Sequence, residues 1–187
     1  MKQIHILTVF ILALASCNST TNSKGKSDPD SPVQPLTGKK FFEYDRIVHY
    51  FNPYDESNLK DLYNSQTKSE IDSIKKGVIV GHIPTNIFDL SFIDKLERIG
   101  YKNENVDKSK FGAIDNIFTE KVITENLSTA CISIYRDILI FKKQSKVIGT
   151  AKICFECMDH QITGTNANTG NFGQDGDYSQ LQKILRK

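Results

Sequence analysis

Cys154-Phe-Glu-Cys157 is a C-x-x-C motif, His160 follows at the same three-residue step, and Cys131 lies upstream. Three chemistries use such a set. A redox pair needs a thiolate of low pKa, usually at a helix N-terminus. Here the motif ends what reads as a strand, Ala151-Lys-Ile-Cys-Phe-Glu-Cys157, with no βαβ unit before it. A metal reading takes Cys131, Cys154, Cys157 and His160 as a Cys3His set for tetrahedral zinc. It lacks a second tight pair, and an oxidising compartment competes for the thiols. The third reading is structural: one disulfide, or buried thiols. Pairing Lys142 with Val147 would bring Ile132, Ile134, Ile138 and Ile140 opposite Cys157, Phe155, Ala151 and Gly149 on one apolar face. Cys131 and Cys154 then share the other face, but about four residues apart, beyond the roughly 7 Å a bridge allows. A register shifted by one sets Cys131 against Cys157 and mixes the faces, and a bulge or an early strand end would reconcile the two.

The remaining candidates favour packing over chemistry. His49 and His82 both sit among apolar neighbours in the sequence and read as packed, hydrogen-bonded residues. Arg136-Asp137 interrupts an apolar strand, which suggests a buried or edge ion pair. Asn166-Ala-Asn168-Thr-Gly170 with Asp175-Gly-Asp177 hints at a calcium loop, yet it lacks the carboxylate spacing and terminal Glu of an EF-hand. A turn-rich loop explains it with less. No G-x-S-x-G, Walker or H-E-x-x-H motif occurs.

Cys17 has a different role. Met1-Lys2, an apolar run from Ile4 to Leu14, and then Leu14-Ala-Ser-Cys17 read as a signal peptide over residues 1–16. The run is shorter than the roughly 20 residues a spanning helix needs. Small residues directly before Cys17 resemble the bacterial lipobox, in which the cysteine is acylated and becomes the first residue of the mature chain. The expected modification is a diacylglycerol and an N-acyl chain on Cys17. Several acyl chains, at about 0.8 kcal/mol per buried methylene, hold a protein on a bilayer where one does not. Lys2 is the single charged residue of 1–16, so 24 Lys and Arg become 23 against 22 Asp and Glu. That near-neutral balance offers no footprint for nucleic acid. The lipid bilayer is the one partner the sequence names.

These residues need elements to position them. Residues 18–40, rich in Ser, Thr, Asn and Lys, hold three of the five prolines, Pro29, Pro32 and Pro35. With no apolar periodicity, they read with Cys17 as a lipidated, disordered tether over 17–40 reaching roughly 25–30 Å. A single globular domain is expected over 41–187. Its aromatic-rich start, ending at Asn52-Pro53, predicts a strand. Helices are expected over 57–63, over 69–76 with Ser69 as N-cap and Gly77 just beyond, and over 91–98 with Ser91 as cap and Gly100 as exit. Val78-Ile79-Val80 reads as a short strand before Pro84. Phe111, Ile114, Ile117 and Phe118 repeat at helical spacing. Residues 130–158 predict a hairpin around a Lys143–Lys146 loop, 161–176 a loop, and 177–185 a closing helix. The class that follows is α+β: N-terminal short helices packed on an antiparallel β-hairpin or sheet, with a C-terminal helix.

The runs Ala130-Cys-Ile-Ser-Ile-Tyr-Arg-Asp-Ile-Leu-Ile-Phe, Ile148-Gly-Thr-Ala-Lys-Ile-Cys-Phe-Glu-Cys157 and Asn171-Phe-Gly-Gln-Asp-Gly-Asp-Tyr resemble uncharacterised lipoproteins of Bacteroidetes-type bacteria. The resemblance covers about the C-terminal third. It implies a cell-envelope location and, with Asn18 after the lipidated cysteine, the outer membrane rather than the inner. The function expected is a membrane-anchored, non-enzymatic binding or structural module. The alternative is a thiol-redox or zinc-binding envelope protein using Cys154 and Cys157 with Cys131 and His160.

Overall fold

The computed structural model describes residues 38–54, 57, 59–64, 69–122 and 131–186. The signal peptide, Cys17 and the tether up to residue 37 lie outside the described residues. The fold is α+β; the described residues form a five-stranded, wholly antiparallel sheet and four short α-helices, one of them C-terminal. The strands are β1 (Arg46–Phe51), β2 (Lys102–Asn105), β3 (Asp137–Lys143), β4 (Lys146–Cys154) and β5 (Asp159–Thr163), in the order β2-β1-β3-β4-β5. The helices are α1 (Leu59–Asn64), α2 (Glu70–Ile79), α3 (Phe111–Ile117) and α4 (Asp177–Leu185).

Layering follows from the period of two along each strand. Ile47, Leu139, Phe141, Ala151 and Ile153 point to one face, where Ile114 and Ile117 of α3 and Leu181 and Leu185 of α4 pack with Phe41, Phe42 and Phe118. Val48, Ile138 and Ile140 point to the other, against Leu62 of α1 and Ile74, Val78 and Ile79 of α2, with Phe92, Leu96 and Ile99. β3 is therefore buried on both faces. Each fully buried Ile, Leu or Phe there contributes about 1.5–3 kcal/mol. One apolar face packed on helices was the sequence expectation; both faces are covered because Ile-Leu-Ile-Phe has no polar alternation to leave wet.

The hairpin starts as expected and then departs. Lys142 pairs with Val147, but Phe141 pairs with Gly149, so Ile148 is an extra, bulged residue. Beyond the bulge, Leu139 faces Ala151 and Asp137 faces Ile153. Gln144 and Ser145 turn the chain with φ of 48° and 68°, a left-handed pair suited to a two-residue hairpin. Asp45 braces it by accepting the Gln144 N–H at 2.7 Å.

Several expectations are corrected. Helix α2 is capped by Ser69, whose side chain accepts the Asp72 N–H, but it runs through Gly77. Val78-Ile79 forms its last turn rather than a strand, since that turn buries both against the sheet. Residues 91–98 form two 3-10 turns, Ile93–Lys95 and Glu97–Ile99, without a Ser91 cap bond. Gly100, at φ 103°, is the left-handed exit. The loop expected from residue 161 begins later, because Gln161 to Thr163 complete β5. β2, Lys-Asn-Glu-Asn, was not anticipated: an all-polar, exposed edge strand carries no apolar signal. Ordered pairing also begins before Phe41, since Lys40 bridges Thr119 and the Glu120 N–H donates to the Lys39 carbonyl. No helix among the described residues is long and apolar enough to cross a membrane.

Candidate functional site

The cysteine set is divided. Cys131 and Cys157 form a disulfide, Cα to Cα 5.9 Å, while Cys154 is a buried free thiol. The bridge forms through the early strand end, without the shifted register that would set Cys131 against Cys157. β3 begins only at Asp137 and β4 ends at Cys154, so the two cysteines meet through non-strand segments at the open end of the hairpin. Ile132, expected on the apolar face, is 61% exposed. The C-x-x-C is thus split between a bridge and a core thiol. Both ring nitrogens of His160 are engaged, Nδ1 with the Tyr178 hydroxyl at 2.9 Å and Nε2 with the Thr169 carbonyl at 3.2 Å. Burial holds the His160 pKa below its usual value against the opposing pull of Asp159. Among the described residues no group of three His, Cys, Asp or Glu is placed to hold a metal.

His82 is exposed, contrary to expectation, and its carbonyl accepts from Gln161. Asp177 of the candidate calcium loop pairs instead with the buried Lys121 ammonium, and Asn168 accepts the Gly170 N–H as a turn residue does. Arg136 and Asp137 each find a partner other than the other. Arg136 holds Glu156 at 2.9 Å and donates from Nε to the Tyr54 carbonyl. Asp137 holds His49 and Arg186.

Asp137, His49 and Arg186 all line a cleft of about 500 Å³, together with Phe51, Glu104, Arg136, Asn52, Pro53 and Leu185. Its construction follows from register. Ile47, His49 and Phe51 alternate onto one face of β1. His49 pairs with Glu104 across β2 and with Leu139 across β3, which sets Asp137 diagonally beside it on the same face. Arg186 directly follows α4, where a cation complements the partial negative charge of a helix C-terminus. Its guanidinium lies over Phe155, 5.1 Å from the ring centre.

Electrostatically, the four groups form a rail. His49 Nε2 stands 2.9 Å from Asp137 Oδ1, and Arg186 Nη2 donates to Oδ2 at 2.7 Å. A carboxylate holding Arg186 accepts from the imidazole, which places a hydrogen on Nε2; in the neutral ring the lone pair is then on Nδ1. His49 is 2% exposed, and Nδ1 has no hydrogen-bond partner. Its nearest charged neighbour is Glu104 Oε1 at 3.5 Å, itself an acceptor. An unmet buried polar atom costs about 1–3 kcal/mol, so the rail ends in a lone pair that a donor would satisfy.

Sequence reasoning named His49 and Asp137 but missed Glu104 and Arg186. The usable signal was His49 itself, a polar residue on the inward parity of an otherwise apolar strand. Glu104 was hidden in the polar edge strand, and Arg186 in a two-residue tail. No family model matches this sequence, nor does any curated protein or solved structure.

Proposed function

We propose that this chain is a lipid-anchored protein of the cell envelope that carries a non-enzymatic binding domain, with the cleft around His49 as its ligand seat. The observation that carries the binding half is the buried Nδ1 of His49, without a hydrogen bond and 3.5 Å from the exposed Glu104 carboxylate, at the wall of a cleft whose volume falls in the range of small-ligand sites. Asp137 fixes the imidazole as second-sphere carboxylates fix ligating histidines. The lining offers a ligand shape, hydrogen bonds and charge from His49, Glu104, Asp137 and Arg186. The anchoring half rests on residues 1–17: the signal pattern, the lipobox-like Leu-Ala-Ser-Cys17 and the tether behind it. The likeness to Bacteroidetes-type lipoproteins supports the outer membrane as destination. A thiol-redox or zinc role for Cys131, Cys154, Cys157 and His160 gains nothing from a geometry in which two thiols are spent in one bridge.

Two measurements test the two halves. Cys17→Ser should convert a detergent-phase protein into an uncleaved or soluble one, and unchanged partitioning would overturn the anchor. For the cleft, a broad panel of envelope-type small molecules is screened by thermal shift on the full chain in detergent. At least one class should stabilise the wild type and fail to stabilise His49→Phe. A panel with no hit, or hits indifferent to that substitution, would overturn the binding seat. Turnover of a hit would replace binding by catalysis.

A further inference from the structure

The cleft presents unlike charges at its two ends. At one end the Glu104 carboxylate, its side chain 56% exposed, stands 3.5 Å from His49 Nδ1 and makes no side-chain hydrogen bond among the described residues. With the ring neutral these are two acceptors 3.5 Å apart, which a group bearing hydrogens would join. At the other end the Arg186 guanidinium, its side chain 43% exposed, makes one hydrogen bond among the described residues, to Asp137. Most of its N–H groups therefore remain for an anion. Between the ends, Phe51 and Leu185 supply apolar wall, with the Phe51 ring centre 5.7 Å from that of His49.

Resting on the reading of this cleft as a ligand seat, we infer that its ligand is a small zwitterion, with a primary ammonium held by His49 Nδ1 and Glu104 and a carboxylate held by Arg186. Its apolar side chain packs on Phe51 and Leu185. A free α-amino acid and a short peptide with free termini share this chemistry, and a cleft of about 500 Å³ admits either. A primary ammonium has three N–H donors, enough to satisfy both acceptors at once. Arg forks carboxylates in two parallel bonds where Lys offers a point charge. A divalent cation is the competing occupant of the Nδ1–Glu104 end. Two protein donors fall short of the three or four that hold zinc, and guanidiniums in the same cleft oppose a second positive charge while favouring the anionic half of a zwitterion.

The test is calorimetric titration of the full chain in detergent with L-leucine, L-leucyl-L-leucine, N-acetyl-L-leucine and L-leucinamide, and separately with Zn²⁺. Leucine or the dipeptide should bind, the tighter of the two identifying the source. Blocking the amine or the carboxylate should each weaken binding at least tenfold. Glu104→Gln, at an exposed position, should cost the zwitterion about as much as N-acetylation does. N-acetyl-leucine should bind this variant no worse than it binds the wild type. Equal affinity for leucine and its N-acetyl form would overturn the inference, as would Zn²⁺ binding with no amino-acid response. Failure of all five probes overturns it too, while a hit elsewhere in the broad panel would leave the ligand seat standing. The analogue series needs no substitution, so a misfolded variant cannot mask the outcome.

Discussion

Removing the Asp137 carboxylate tests the rail at its middle. Asp137→Ala strips His49 Nε2 of its acceptor and Arg186 of its anion together. The two losses are unequal. Asp137 and His49 are 1% and 3% exposed at their side chains, and removing the charged acceptor from a buried N–H costs about 1.5–3 kcal/mol. The Arg186 side chain is 43% exposed, so solvent screens that link to below about 1 kcal/mol. Asp137→Asn keeps an oxygen for the Nε2 hydrogen and should cost about 1–2 kcal/mol, between the two. Urea denaturation of the full chain in detergent, followed by tyrosine fluorescence because the sequence has seven Tyr and no Trp, reads all three differences. Asp137→Ala should lie about 1 kcal/mol or more below Arg186→Ala. Equal costs for these two, or an Asp137→Asn as damaging as the alanine, would refute the claim that His49 is the main load on this carboxylate.

The other predictions are independent of the cleft. Cys131–Cys157 closes a separation of 26 residues, so Cys131→Ser should cost about 3–4 kcal/mol by chain entropy; equal denaturation midpoints with and without reductant would contradict it. Lys152 is buried with its amine on the carbonyls of Gly81 and Ile83 and over the Tyr135 ring. Burial pulls its pKa down to about 7 from 10.5, against a smaller opposing pull by Asp159. Between those values the unfolded chain holds a proton that the folded chain lacks, so stability should rise from pH 7 to 9 at up to about 1.4 kcal/mol per unit. Lys152→Met should remove that slope, and an unchanged slope in urea titrations would be the contrary result. At Gly149, a Cβ would overlap the Phe42 ring, so Gly149→Ala should destabilise by about 1–3 kcal/mol; a neutral effect in the same assay would show that Phe42 can move aside.

What was legible in the sequence is what depends on local pattern. Helix α4 was anticipated from residue 177 to residue 185, α3 from its i, i+3 apolar repeat, and the Ser69 cap from residue type. Tertiary context decided the rest. Val78-Ile79 reads as strand from β-branching alone, yet it closes α2 because the far face of the sheet needs an apolar lid there. The bulge at Ile148 leaves no trace in composition, and it sets every pairing from Phe141 onward. The cleft was legible only in part. His49 and Asp137 are 88 residues apart, and only the β1–β3 register makes them neighbours, while Glu104 needs a strand that no hydrophobic pattern reveals.

The account turns on the state of one nitrogen. Histidine-selective ¹⁵N spectroscopy of the full chain at pH 8 resolves the His49 ring nitrogens, assigned through His49→Phe. The cleft reading predicts a hydrogen on Nε2 and a bare lone pair on Nδ1 in the ligand-free protein, with the Nδ1 resonance moving on addition of the hit from the panel. A hydrogen on Nδ1 in the free protein, together with resonances that no binding probe displaces, would contradict it.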